Sequence, residues 1–139
     1  MSGRWPLAVV FPWACAVPNN QRVRPARRGI TTTRRWRAAR EEAHVEAMRQ
    51  SAGIRCDAES RFGAMLHVHA PHAADHGHAA DIDAYVKLLL DALEGQVYED
   101  DRQVDVMFIR RRWSVPEPHL VLTVWPLTTD GPSDAPWPP

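Results

Sequence analysis

Leu7, Val9, Phe11 and Trp13 alternate with Ala8 and Val10, the period of a half-buried strand, and predict a first strand over about residues 7 to 13. A loop, Val17-Pro18-Asn19-Asn20, and a basic segment follow. Thr31 to Thr33 then offer an N-cap, and Trp36, Ala39, Ala43 and Ala47 recur at helical spacing until Gly53, predicting a helix over about 33 to 52. Phe62 to Ala70 reads as a second strand, with Met65, His67 and His69 on one face and Leu66 and Val68 on the other. After a loop from Pro71 to Ala80, the stripe Ile82, Val86, Leu89, Leu90 and Leu93 predicts an amphipathic helix that ends near Gly95. About residues 103 to 112 and 119 to 126 read as two strands joined through Pro116 and Pro118, hence a hairpin. The order β-α-β-α-β-β predicts an α/β (α+β) single domain, a four-stranded mixed sheet flanked by two main helices.

Composition narrows the class. The chain has 139 residues, 45% hydrophobic and 24% charged, the balance of one soluble globular domain. No apolar run reaches the roughly 20 residues of a membrane span, so no membrane partner is expected. Arg4, the stretch from Leu7 to Val17 and Ala14-Cys15-Ala16 loosely imitate a secretion signal, but Pro6, Pro12 and Trp13 interrupt it. Cys15 and Cys56 are too few for a disulfide framework, and a reducing cytoplasm is the expected setting.

A formal net charge of zero hides a segregation along the chain. Residues 1 to 50 hold ten Arg against Glu41, Glu42 and Glu46. Residues 51 to 109 hold eleven acidic residues against Arg55, Arg61, Lys87 and Arg102. A basic arm joined to an acidic cluster suits a protein that attracts phosphates while carboxylates hold a cation; it equally suits solvated surfaces whose charges pair with one another.

The acidic part contains Asp81-Ile82-Asp83, then Lys87, Asp91 and Glu99-Asp100-Asp101. Asp81 and Asp83 bracket a helix start, where they either cap backbone N–H groups or converge on a hard divalent cation. Asp100 and Asp101 arrive at the start of the next strand. Lys87 is the only lysine beside 16 arginines. A compact ammonium there either neutralises charge at an attacked phosphate or forms an i,i+4 pair with Asp83 or Asp91.

Asp81-x-Asp83-x-x-x-Lys87-x-x-x-Asp91-Ala92-Leu93, a short turn, and Asp100-Asp101-x-Gln103-Val104 together resemble the core signature of the RusA-type Holliday-junction resolvases. The strand ending in Pro18-Asn19-Asn20 before Arg-rich sequence and a helix is similar to that family too. The resemblance covers about residues 8 to 125, and implies a nuclease domain over residues 1–126; the tail over 127–139, with Pro132, Pro136, Pro138 and Pro139, is too polar and Pro-rich to pack and is expected to be disordered. It implies a homodimeric, Mg²⁺-dependent endodeoxyribonuclease, with one or two ions per active site, that resolves Holliday junctions in DNA recombination and repair by hydrolysis leaving a 5′-phosphate. By motif position Asp81, Asp83 and Asp101 are then the metal ligands, Lys87 the catalytic lysine and Asp91 a supporting residue, with Asp100 able to substitute for Asp101. Four-way DNA is the implied partner, expected to meet Asn19, Asn20, Arg22, Arg24, Arg27 and Arg28; the loop before the motif, often basic in the family, here carries His72, His76 and His78, which are expected to contact DNA in its place.

Ala84 stands where the family usually has Asn, which favours the alternative of a non-catalytic DNA-binding protein of the same fold. Five of the seven His lie between His67 and His78, and they support a third reading, a histidine-based metal-binding regulator. Arg110-Arg111-Arg112 either protects a sheet edge or grips phosphates.

Overall fold

The computed structural model describes residues 5–72, 80–113 and 115–127. Strand β1 (Leu7–Pro12) buries Leu7, Val9 and Phe11 and leaves Ala8 and Val10 exposed, as the alternation predicts. An exposed two-stranded hairpin follows, β2 (Val23–Ala26) paired antiparallel with β3 (Gly29–Thr32). Helix α1 (Arg34–Gln50) starts on Thr33, whose side-chain oxygen accepts from the Trp36 amide at 3.1 Å, and buries Trp36, Ala39, Ala43 and Ala47. Strand β4 (Phe62–His69), helix α2 (Val86–Leu93), and strands β5 (Val104–Arg112) and β6 (His119–Pro126) complete the fold.

The main sheet is four-stranded in the order β1-β6-β4-β5. It is mixed, because β4 runs parallel to β5 while β6 is antiparallel to both β1 and β4. One sheet face, carrying Val9, Phe11, Leu66, Val68, Leu120 and Leu122, joins α1 and α2 in a single core. Small residues on α1 let α2 approach closely, and α2 sinks Leu88, Leu89, Leu90 and Leu93 into the centre. Neither helix is long and apolar enough to cross a membrane.

Two sequence expectations are corrected. The β5–β6 hairpin does not form, since β4 lies between the two strands. The charge of β5 fits this order, because Asp105, Arg110 and Arg112 suit it to an edge, while β6 carries the fully buried Leu120, Leu122 and Val124. The connection to β6 crosses the end of β4, a step of about 10 Å for two strand spacings. It is fastened there by the Val115 amide on the Ala70 carbonyl at 3.1 Å. The second helix starts at Val86, not Ile82, because residues 82–85 form turns and Ile82 is 42% exposed. The tail from residue 128 onward lies outside the described residues.

Gly63 locks β4 to β6. A Cβ at this position would meet the indole ring of Trp125 at 2.5 to 2.7 Å, and that ring is held in the core at 5% exposure. Gly63→Ala is therefore expected to cost about 1–3 kcal/mol through overpacking. Urea unfolding at neutral pH measures this, and an unchanged midpoint would contradict the packing described.

Candidate active site

Lys87 lies in the first turn of α2, with its ammonium turned toward the turn that precedes β5. The ammonium donates to Asp101 Oδ2 at 2.7 Å and contacts Asp91 Oδ1 at 2.9 Å. The pair with Asp91 is the i,i+4 contact that helical spacing allows, but Asp101 is fourteen residues away in sequence, so Lys87 ties two elements together. These contacts, Asp101 first and Asp91 next, hold the ammonium protonated far above the ordinary lysine range.

Glu94 completes the group. Ligand oxygens of Asp91, Glu94 and Asp101 all lie within 4.8 Å of one another, and all three residues are half-buried. Burial pushes the Glu94 carboxyl above the usual range, a hydrogen bond from the Asp101 amide opposes this, and the charges of Asp91 and Asp101 add to the rise. A donor set made only of carboxylate oxygens, with an ammonium beside it, fits a hard divalent cation such as Mg²⁺ and not a soft one.

The turn that presents Asp101 is built around buried Gln103. Its side-chain oxygen accepts from the amides of Glu99 and Asp100 at 2.9 and 3.1 Å, and its amide nitrogen donates to the carbonyls of Asp57 and Ser60 at 2.7 and 2.9 Å. Every polar atom of that side chain is used, so the turn is set against two other segments. Asp100 is spent on the same structure: it accepts from the Arg102 amide at 2.8 Å in a capping box and pairs with the Arg102 guanidinium at 2.7 Å. The guanidinium lowers its carboxyl to about 2. Asp101, not Asp100, therefore faces Lys87.

Asp81 and Asp83 are exposed on the turn that leads into α2, and lie outside the three-carboxylate group. They do not cap the helix, whose N-cap is Tyr85 with no side-chain hydrogen bond. Two contacts place their turn. The Asn19 amide donates to the Ala84 carbonyl at 2.8 Å, and Arg111 Nη1 donates to the Ala80 carbonyl at 2.6 Å while its guanidinium lies 4.5 Å from the Trp113 ring centre. Arg111 is thus committed to this turn, while Arg110 and Arg112 stay exposed.

Arg24, Arg27 and Arg28 are exposed on the β2–β3 hairpin, with Asn19, Asn20 and Arg22 exposed just before it and Arg22 over the Trp36 ring at 5.7 Å. His72 is exposed, and His76 and His78 lie outside the described residues. His67 and His69 line up with His119 of β6, the His69 and His119 rings stacked at 4.2 Å. Burial and nearby positive groups lower the pKa of both His67 and His69. Sequence reasoning missed Glu94, hidden in a helix C-terminus, and the role of Gln103, which the Asp100-x-x-Gln103 capping pattern signals.

A protein-family model described as endodeoxyribonuclease RusA matches residues 12–124, from the end of β1 through nearly all of β6. No curated protein matches the sequence.

The raised Glu94 carboxyl carries a sign that can be checked. An acid whose folded pKa lies above its unfolded value destabilises the fold once pH passes that folded value. Glu94→Gln keeps the oxygen that accepts from Asp101 and is expected to raise stability at pH 7 in the absence of divalent cations. The difference should vanish as pH falls below the ordinary glutamate range. Urea midpoints at both pH values decide this, and a variant less stable at pH 7 would refute it.

Proposed function

The chain belongs to the RusA endodeoxyribonuclease family, and from that premise we propose that it is a Mg²⁺-dependent, homodimeric nuclease that resolves four-way DNA junctions in recombination and repair. The observation that carries this reading is Lys87 set between Asp91 and Asp101, four residues after Asp83. An ammonium held protonated between carboxylates can stabilise charge that develops on an attacked phosphate, which supports a phosphodiester-cutting site. The same reading gives residues 1–126 as the nuclease domain, residues 127–139 as its tail, and the cytoplasm as its setting.

Asp81, Asp83 and Asp101 would hold the cation, with Asp91 and Glu94 behind them. When bound, the cation supplies Lewis-acid charge that polarises the phosphate and the attacking water. Every other task falls to the chain itself. Lys87, kept protonated by its carboxylate partners, donates to a phosphate oxygen as negative charge grows on it. Arg22, Arg24, Arg27 and Arg28 neutralise backbone phosphates, and Asn19 and Asn20 bond to the backbone next to the turn that carries Asp81 and Asp83. His72, His76 and His78 add contacts from the loop before that turn. A second copy supplies the second site needed for paired nicks.

A synthetic four-way junction incubated with Mg²⁺ is expected to yield symmetric nicks bearing 5′-phosphates, and none in a chelator. Asp81→Asn, Asp83→Asn, Asp101→Asn and Lys87→Ala should each slow cleavage by about a hundredfold or more while junction binding persists. Junction binding without any nicking by the wild type would favour the non-catalytic reading that Ala84 suggests.

A further inference from the structure

Along its flank nearest α2, helix α1 carries Arg37, Arg40 and His44 at spacings of three and four, clear of the buried Trp36, Ala39, Ala43 and Ala47. This flank faces α2 across a groove of about 660 Å³ whose far wall is formed by Asp91, Ala92 and Glu94. Asp91 and Glu94 are two of the three carboxylates of the active-site group. None of the three basic residues was singled out by the sequence.

We propose that this groove is a track for the sugar-phosphate backbone of a DNA strand, in which Arg37 and Arg40 hold phosphates beside the carboxylate group. The inference rests on the nuclease reading and adds where the strand runs. Charge and continuity carry it. Although Arg40 and His44 share the groove with Asp91 and Glu94, neither makes an ion pair or hydrogen bond among the described residues, so both stay available to an anion. Glu41 is the one acid on the basic wall. Arg37 Nη1 donates to the Thr32 carbonyl at 3.1 Å, at the end of β3. The groove therefore continues the hairpin that bears Arg24, Arg27 and Arg28, and a backbone laid on the hairpin reaches the carboxylates along α1. The opposite flank of α1 is used differently: Arg49 pairs with Glu46 at 2.6 Å, and Gln50 bonds the backbone of Val10.

Phosphate contacts release counterions, so each one lost flattens the dependence of log affinity on log salt by about 0.9. Binding of a fluorescent four-way junction is followed by anisotropy in a chelator, across a salt series. Arg37→Gln/Arg40→Gln is expected to flatten the slope by about two. Arg40→Gln alone, which breaks no internal contact, should flatten it by about one, and Arg40→Lys should restore it. Arg49→Gln should leave it at the wild-type value. Wild-type slopes in both Arg40→Gln and the double variant would overturn the track, while a flattened slope in Arg24→Gln/Arg28→Gln together with Mg²⁺-dependent nicking by the wild type would keep the nuclease reading intact. A wild-type protein with no salt-dependent affinity for DNA would overturn both. Polyglutamate that binds the wild type but not the double variant, with DNA slopes unchanged, would instead assign the groove to an acidic protein segment.

Discussion

Three carboxylates whose oxygens lie within 4.8 Å of one another repel one another at a half-buried site. At an effective dielectric of about 20, two unit charges at that separation repel by roughly 3–4 kcal/mol, a large part of the stability of a small domain. Lys87 answers that repulsion, and its position explains much of the architecture. Its ammonium must reach Asp91 on its own helix and Asp101 on the approach to β5, so α2 and β5 must be held in one relative position. The leucines of α2 fix the helix in the core, and Gln103 fixes the turn before β5.

The sheet order serves the same end. With β6 threaded between β1 and β4, β5 is left at the edge, where its charged residues tolerate solvent and Arg111 is free to reach back to Ala80. From the other side Asn19 grips Ala84, just past Asp83. The exposed acidic turn is thus pinned at both ends, to the edge strand and to the segment that opens the basic hairpin. Segregated charge along the sequence becomes opposed charge in space, with the basic flank of α1 facing carboxylates across one groove.

Local pattern made most elements legible. The alternation in β1 and β4, the Ala stripe of α1 and the leucines of α2 follow directly from which side chains must be buried. The β2–β3 hairpin escaped notice because Arg24 and Pro25 show no apolar alternation; no face of it is buried, and its pairing is set by backbone bonds around Gly29, whose φ is 95°. The crossing of β6 was invisible because a short connection ordinarily joins neighbours, and the charged residues that suit β5 to an edge do not by themselves say which strand separates it from β6. In the site, Lys87 and Asp101 stood out by rarity and motif. Choosing between Asp100 and Asp101 needed the capping turn, and Glu94 needed the long-range contact that brings β5 beside α2.

Calorimetric titration of Mn²⁺ into the DNA-free protein and its variants tests most directly whether Lys87 and a divalent cation share these carboxylates. The account predicts saturable binding by the wild type, weaker binding by Asp101→Asn, and binding tighter by about tenfold in Lys87→Ala, because removing the ammonium leaves its partners' charge to the metal. Equal affinity in all three proteins would contradict it.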